Sequence, residues 1–298
     1  MTQHPHPAAP QEVELKLALG PGALDALLAH PFLAEPPQQQ ALANTYFDTP
    51  QGHLAAGRVA VRLRRLGPRV LQTVKTAGQG GGGLSRREEW EWPLDEHALD
   101  QAGLAELPPF QGPLAEQIAA LQPTLSTDFH RRTWQLAWQG STIELVVDEG
   151  EIVAGSARAP IGEVELELKE GSADALWGLA LALAEQVALR PSDSSKAARG
   201  NALGQQQWTL PEASTPSAWL HRATVALDAF HDSGHPEHLA AARQALSELA
   251  QHPALDDAAR REALTLTAEL GATGQPTAAY GVAALTLARR LGQQTALR

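Results

Sequence analysis

The chain has 298 residues, of which 43% are apolar and 19% charged, a composition that supports a substantial core and excludes a disordered or fibrous protein. The 23 Lys and Arg residues against 34 Asp and Glu residues give a net charge of -11, which disfavours sequence-independent binding to nucleic acid or to an anionic membrane. The absence of Cys excludes disulfides, thiolate catalysis and Cys-ligated zinc. Because neither a signal peptide nor an apolar run long enough to span a membrane is present, we expect a cytoplasmic protein.

Residues 1–10 contain three prolines and predict a flexible tail. Between residues 11 and 171 the apolar residues follow a period of two, which predicts strands. The predicted strands are 12–19, 43–48, 58–66, 69–77, 85–93, 127–138, 141–148 and 162–169, and the predicted helices between and after them are 22–30, 96–121 and 172–189. Short turns join most of the strands, so we predict an antiparallel barrel or sandwich.

After Trp208 the apolar period changes and no convincing strand remains. Residues 209–216 predict a linker, and residues 217–298 predict a small helical bundle with helices near 217–231, 236–251, 256–271 and 276–291. The domains expected are therefore an α+β unit over 11–208 and this bundle. Its 7 basic and 9 acidic residues beyond Pro211 nearly balance, so we expect it to dock on or stabilise the first unit rather than bind an anion.

Each long predicted strand carries charged residues on one face, since side chains alternate along a strand. In 12–19, Glu12, Glu14 and Lys16 share the face opposite Val13 and Leu15. The same alternation groups Arg62 with Arg64, Thr73 with Lys75, Arg87 with Glu89 and Glu91, Arg131 with Thr133, Glu144 with Asp148, and Glu163 with Glu165, Glu167 and Lys169.

Such faces are ordinarily solvated, and solvated faces usually mix the two signs of charge. Here Arg62, Arg64 and Lys75 form basic stretches, whereas Glu163 and Glu165 belong to an acidic one. This separation favours a shared ligand, with a divalent cation on the carboxylates and a polyanion on the basic side chains. A sheet closed with its charged faces inward, as a hydrophilic tunnel covered by helices, would provide that site.

The motifs also resemble those of a known family. Glu12-Val-Glu-Leu-Lys16 matches the ExExK motif that opens the CYTH family, the triphosphate tunnel metalloenzymes. Further matching motifs follow in order at 44–49, 61–64, 72–75, 82–89, 128–131, 143–148, 163–167 and 195–196. The resemblance covers residues 11–205, and the segments 75–84, 160–167 and 195–200 are similar to the bacterial inorganic triphosphatase branch rather than to the thiamine triphosphatase branch.

The resemblance implies an eight-stranded antiparallel β-barrel and hydrolysis of triphosphate substrates with Mg²⁺ or Mn²⁺. It implies metal binding by Glu12, Glu14, Asp148, Glu163 and Glu165, with Glu89 and Glu144 as additional members. The residues implied to bind the phosphates are Lys16, Arg62, Arg64, Lys75, Arg87, Arg131 and Lys196. Lys16, Glu12 and Glu14 are the implied catalytic residues, and either a metal-polarised water or Lys16 as general base would provide the nucleophile.

The function expected is hydrolysis of inorganic triphosphate to diphosphate and phosphate, with triphosphate or short polyphosphate as the partner. The alternatives are a thiamine or nucleoside triphosphatase, an adenylate cyclase, and a module that binds polyphosphate without turnover. Residues 235–249 are similar in layout to a helix of the CHAD domain, a module associated with polyphosphate, but Arg243 alone remains of its basic series. We therefore expect a chain ending near Pro211 to keep its triphosphate affinity.

Overall fold

The computed structural model describes residues 11–296, so the predicted flexible tail lies outside the described residues. The strands are β1 Gln11–Leu19, β2 Gln38–Asp48, β3 Ala60–Leu66, β4 Arg69–Lys75, β5 Gln79–Gly81, β6 Leu84–Leu94, β7 Gln122–Trp138, β8 Ser141–Ala154, β9 Ala157–Glu170 and β10 Leu189–Pro191. The helices are α1 Ala23–Leu28, α2 His53–Ala56, α3 Gln101–Glu106, α4 Asp174–Ala184, α5 Lys196–Gln205, α6 Pro216–Ser233, α7 Pro236–Gln251, α8 Asp257–Glu269 and α9 Ala278–Ala296. Short 3-10 turns lie at Pro31–Leu33, Pro108–Phe110 and Ala115–Ala120.

Eight of the strands form a closed antiparallel barrel, which confirms the predicted fold class. Their order is β1-β9-β8-β7-β2-β3-β4-β6, and β6 pairs back with the first half of β1. The short strand β10 pairs with the second half of β1, and β5 pairs with β6. In this register Lys16 lies opposite Glu165, and Glu12 lies opposite Arg87. Barrel closure therefore brings residues of the first predicted strand beside residues of the last.

Several strands are longer than the period of two predicts. β2 begins at Gln38 because its polar start pairs with β7, where Gln38 faces Thr133. β8 and β9 continue as a hairpin, paired from Thr142 and Glu170 to Ala154 and Ala157. Pairing between strands thus sets these boundaries, and local propensity does not.

The predicted helix over 96–121 is wrong. That segment forms the six-residue α3 and two 3-10 turns. Pro108 and Pro109 lack a backbone N–H and restrict the residue before them, so a continuous helix cannot pass through this segment. The predicted helix over 172–189 ends earlier, at Ala184, and is followed by β10. The helix α5, which the sequence analysis did not predict, begins beside Ser195, whose side chain accepts a hydrogen bond from the backbone of Ala198 (3.1 Å).

The apolar faces of β1, β8 and β9 point away from the barrel axis and pack against helices. Leu15 and Leu166 are fully buried there in one cluster with Leu176 of α4. The same cluster contains Leu227 of α6 and Leu285 of α9, so the C-terminal helices share a core with the barrel. The four C-terminal helices lie close to their predicted positions. Among residues 11–296, each helix is too short or too polar to cross a membrane.

Candidate active site

The inner surface of the barrel encloses a cavity of about 1070 Å³, which we call the tunnel. Most of the predicted site residues line it, namely Glu12, Glu14, Lys16, Arg62, Arg64, Lys75, Arg87, Arg131, Glu165 and Lys196. Asp148 and Glu163 lie directly behind this surface, at 0% and 2% exposure, and contact the tunnel residue Lys196. The structure therefore brings the predicted site residues together in one region.

Three predicted metal ligands form one group, the carboxylate cluster of Asp148, Glu163 and Glu165. Each offers an oxygen within 4.8 Å of the oxygens of the other two. Lys196 Nζ lies among them, 2.7 Å from Asp148 and 3.3 Å from Glu165, and also contacts Glu163. Arg131 donates two hydrogen bonds of 2.7 Å to Asp148 and one of 3.1 Å to Glu165. An all-oxygen donor set of this kind fits Mg²⁺ or Mn²⁺.

Lys196 and Arg131 keep two carboxylates of the cluster, Asp148 and Glu165, ionised. Burial alone would raise the pKa of Asp148, but Lys196 and Arg131 lower it below its usual value. The same two side chains outweigh burial at Glu165 and hold its pKa well below the usual range. Conversely, burial would lower the pKa of Lys196, whereas the three carboxylates raise it. Asp148 and Glu165 are thus both ionised at neutral pH beside Lys196 and Arg131.

A second acidic group lies on β1 and is paired with cations of β4 and β6. Glu12 accepts hydrogen bonds from Lys75 (3.0 Å) and from Arg87 Nε (2.7 Å), and Glu14 accepts one from Arg87. Burial would raise the pKa of Glu12, yet Lys75 and Arg87 lower it to about 2. For the more deeply buried Glu14, burial prevails, helped by the negative charge of Glu165, and its pKa is raised. Glu12 and Glu14 do not belong to the carboxylate cluster of Asp148, Glu163 and Glu165. Their role as metal ligands stays a prediction.

The basic part of the tunnel is provided by β3. Arg62 lies 3.8 Å from Glu89 and 4.0 Å from Glu91, while its buried Nε has no hydrogen-bond partner among the described residues. Burial and the neighbouring arginines lower the pKa of Arg64 to about 10. Arg64 Nε donates to the side chain of Asn44 (2.9 Å). An unsatisfied buried donor costs stability, and an anion in the tunnel would relieve that cost.

Lys16 contacts the segment that leads into α5. Its Nζ donates to the carbonyl oxygen of Ser194 (3.2 Å), and its own carbonyl accepts from the backbone of Ser192 (3.1 Å). Its backbone N–H donates to Gly83 (2.9 Å). Gly83 has φ +90°, and a Cβ there would lie 2.5 Å from the Lys16 carbonyl oxygen, so glycine is required. The run of four glycines at 80–83 is thus fixed against β1 at Gly83.

The additional residues suggested for the metal site, Glu89 and Glu144, line the tunnel but are not part of the carboxylate cluster. Glu89 pairs with Lys75 (3.0 Å), and Glu144 pairs with Lys169 (3.3 Å). Lys169 also binds Glu167 (2.8 Å) and lines the tunnel, although the sequence analysis gave it no role. Its place at the end of the alternating charges of β9 was the signal available for finding it.

The C-terminal helices also contribute to the tunnel surface, because His221 of α6 lines it. Its Nδ1 lies 2.7 Å from Asp193 Oδ2, and Asp193 Oδ1 accepts a hydrogen bond from the backbone of Gly83 (2.7 Å). This contact joins residues that are far apart in the chain, and no local pattern indicates it.

The His221–Asp193 pair predicts a dependence of stability on pH. The hydrogen bond to Asp193 raises the pKa of His221 against the effect of burial, with a further contribution from Asp228 and an opposing one from Arg58. A histidine whose pKa is higher in the folded than in the unfolded protein stabilises the fold when it is protonated. The stabilisation is complete below the unfolded pKa of about 6.5 and is lost as pH rises through the folded-state pKa. His221→Gln should therefore cost up to about 1 kcal/mol near pH 5.5, a modest effect because the ring is 41% exposed.

The measurement is the free energy of unfolding of wild type and variant at pH 5.5 and at pH 9. The difference between them should shrink at the higher pH. An equal difference at both values would show that His221 does not gain a proton-dependent contact. His252→Gln, at a half-buried position following α7, is the matched control.

Comparison with known proteins agrees with this architecture. The CYTH domain model matches residues 10–200. The inorganic triphosphatase of Haemophilus influenzae is 38% identical over 204 residues, which is 66% of this chain and 56% of that relative. The match thus spans little more than half of the relative's length.

Among solved structures, an adenylyl cyclase-like protein from Hippeastrum, described as having a dominant triphosphatase activity, superimposes with a TM-score of 0.51. Its sequence identity is 20%, over 64% of this chain and 95% of that one, so the likeness concerns the fold alone. The family match covers well over half of the chain and agrees with the closed barrel and its charged interior. The chain belongs to the CYTH family.

Proposed function

We propose that the protein is a metal-dependent inorganic triphosphatase that converts triphosphate to diphosphate and phosphate inside the tunnel. The observation that carries this proposal is the carboxylate cluster at the wall of a cavity that nine arginine and lysine side chains also line. The name of the Haemophilus influenzae relative supports the substrate. The absence of Cys supports our further proposal that the protein acts in the cytoplasm.

The carboxylate cluster is the part of the tunnel that best fits Mg²⁺ or Mn²⁺. Asp148, Glu163 and Glu165 would hold the ion, and Glu12 and Glu14 are proposed as further ligands facing the same space. A bound divalent ion would supply charge compensation on the phosphate oxygens and polarise water. Lys196 and Arg131 already contact these carboxylates and Arg199 lies 3.7 Å from Glu163, so a bound ion would share the cluster with three basic side chains.

The basic residues of the tunnel would bind and orient the triphosphate. Arg62 and Arg64 of β3 line the tunnel, together with Lys75 of β4, Arg87 of β6 and Lys16 of β1. Charge-assisted hydrogen bonds to several phosphate oxygens would fix the chain of phosphates in line for attack. Negative charge increases on the bridging oxygen as it leaves, and the basic side chains of the tunnel would offset that charge.

In the proposed reaction, a water oxygen forms a bond to the terminal phosphorus while the bond to the bridging oxygen breaks. The bonding electrons leave with diphosphate, and the water loses a proton. Lys16 acting as general base is one proposed acceptor of that proton, and solvent is the other, in which case a bound divalent ion would make the water more acidic. Glu12 and Glu14 are proposed to orient the reacting groups at this end of the tunnel. The pKa of Glu14 is raised, so its carboxylate binds a proton more readily than an ordinary glutamate does.

The test is phosphate release from inorganic triphosphate, ATP, thiamine triphosphate and long-chain polyphosphate, each with Mg²⁺, Mn²⁺ or EDTA. We expect the highest kcat/KM with inorganic triphosphate and no turnover in EDTA. A higher value with ATP or thiamine triphosphate would replace the substrate assignment, and formation of cyclic AMP would indicate a cyclase. Tight binding of polyphosphate without phosphate release would indicate a binding module.

Arg62→Ala and Lys75→Ala should weaken binding of triphosphate. Each variant removes a charge-assisted contact worth roughly 1.5–3 kcal/mol, which corresponds to a rise in Kd of roughly 10-fold to 150-fold. Titration calorimetry with inorganic triphosphate in Ca²⁺ or Mg²⁺ measures it. Arg69→Ala, an exposed position on the same strand as Lys75, is the control and should leave the Kd unchanged. An unchanged Kd in the first two variants would contradict the proposed binding surface.

The domain limits also remain a proposal. We propose residues 11–208 as the unit that holds the tunnel, joined by 209–216 to the helices of 217–298. The family match over 10–200 supports the first of these limits. The core shared between barrel and helices indicates that the two units are stable together.

A further inference from the structure

The C-terminal helix α6 carries a buried carboxylate aimed at the segment that precedes α5. Asp228 is 4% exposed and accepts hydrogen bonds from Arg190 Nη1 (2.5 Å) and from the hydroxyl of Ser192 (3.1 Å). It also accepts from the backbone N–H groups of Asp193 (3.2 Å) and Ser194 (3.1 Å). Four donors from residues 190–194 therefore converge on one side chain that lies outside the barrel.

The segment that Asp228 binds carries parts of the tunnel. Ser194 supplies the carbonyl oxygen that accepts from Lys16 Nζ, and Asp193 accepts from the backbone of Gly83. Lys196 follows directly, and its ammonium group lies within the carboxylate cluster. The backbone of 192–194 is therefore the link between Asp228 and two lysines of the tunnel.

A second contact from α6 holds the helix that begins at Lys196. Asp232, one turn after Asp228, accepts from Arg199 of α5 at 2.7 to 3.1 Å. Arg199 in turn donates to the carbonyl oxygen of Pro160 (2.6 Å) and lies 3.7 Å from Glu163 of the carboxylate cluster. Successive turns of α6 thus fix both the segment before Lys196 and the helix after it.

Burial of Asp228 is costly unless its oxygens are satisfied, and a buried charge with fixed donors has few alternative arrangements. Burial raises and Arg190 lowers its pKa, with the net effect a lowered value, so the carboxylate stays ionised. An ionised oxygen pair satisfied by backbone N–H groups holds those groups in one geometry. The segment is therefore ordered by a charge located on a helix beyond the barrel.

We propose that Asp228 is a positioning residue, which fixes residues 190–194 so that Lys196 and Lys16 are held in the tunnel in the arrangement that binds triphosphate. The contacts of Asp228 with residues 190–194 are seen in the structure, and their effect on triphosphate binding rests on the proposed function. The consequence is opposite to the expectation from the sequence, since a chain ending near Pro211 would lose Asp228 and with it the arrangement of the segment. The C-terminal helices are then part of what makes the tunnel competent.

The test uses the full chain with Asp228→Asn, which keeps the side-chain size and removes the charge. We expect faster hydrogen exchange in peptides covering residues 189–196, unchanged exchange in β7 and β8, and a Kd for inorganic triphosphate at least tenfold higher. KM should rise once rates are corrected for the folded fraction, whereas simple loss of folded protein would lower the apparent kcat and leave KM unchanged. Asp256→Asn, which removes the charge that pairs with Arg290 and keeps an N-cap side chain for α8, is the control in the same bundle.

Because Asp228→Asn leaves Arg190 buried without its partner, Ser192→Ala provides a milder variant that removes one donor. It should show the same changes to a smaller degree, with the fold intact. Unchanged exchange and unchanged affinity in a folded Asp228→Asn protein would overturn the inference, as would equal effects in the Asp256→Asn control. Should wild type fail to hydrolyse triphosphate, the proposed function fails, while the exchange data still decide whether Asp228 orders the segment.

Discussion

Replacing Glu163 or Glu165 with Gln should lower kcat for triphosphate at least about 100-fold, since each change removes one charge of the carboxylate cluster. The side-chain volume is kept, and both positions lie on β9, whose backbone pairing with β1 and β8 does not depend on these side chains. The fold should therefore persist. Phosphate release at saturating Mg²⁺ or Mn²⁺, with circular dichroism to confirm folding, is the measurement.

The control is Glu170→Gln, at an exposed position at the end of the same strand, which should retain wild-type activity. Raising the metal concentration should restore part of the activity if the loss reflects weaker metal binding. Full activity in both cluster variants at ordinary metal concentrations would contradict the assignment of the cluster as the metal site.

Replacing Lys196 with Met should make the stability of the protein depend on divalent metal. Without the ammonium group, Asp148 and Glu163 are left buried beside Glu165 with Arg131 and Arg199 as the remaining contacting cations, and breaking a buried ion pair costs about 3–5 kcal/mol. A divalent ion binding to the three carboxylates would offset that repulsion. In EDTA the melting temperature should fall well below that of wild type, and Mg²⁺ or Mn²⁺ should recover part of the difference.

Thermal denaturation of both proteins with and without metal checks this result. Lys169→Met is the matched control, because Lys169 is 37% exposed and its ion pairs lie away from the cluster. Its melting temperature should change little and should not respond more strongly to metal than that of wild type. A Lys196→Met protein whose melting temperature is insensitive to metal would contradict the proposed ion site.

The barrel strands and their charged faces could be predicted from the sequence because alternation is a local signal. Glu12, Glu14 and Lys16 alternate within five residues, and the structure places all three on the tunnel surface. The partner of each charge is not local, since Lys75 and Glu12 lie 63 residues apart and meet through the closure of β6 on β1. The period of two therefore identified the charged strand faces, the family resemblance added Lys196 and the site roles, and neither gave the ion pairs.

The contribution of α6 to the site was harder to predict from the sequence. Leu220, Thr224 and Asp228 recur at helical spacing and are all buried, so a carboxylate lies on the apolar face of that helix. A charge in such a position requires a buried partner. The identity of that partner depends on how the helix packs, and Arg190 belongs to a strand of three residues that the sequence did not predict.

The order in which the strands pair also bears on how the protein is made. β9 is the last barrel strand in the chain, and it pairs with β8 on one side and with β1, the first strand, on the other. During synthesis the sheet stays open until about 170 residues have left the ribosome, and Leu15 and Leu17 of β1 stay uncovered until the helices that pack on them, from α4 onward, have followed. Long-range pairing of this kind folds slowly and exposes apolar strands in the meantime. Glu163 and Glu165 arrive on the closing strand, so a nascent chain acquires its complete set of buried carboxylates only as the barrel shuts.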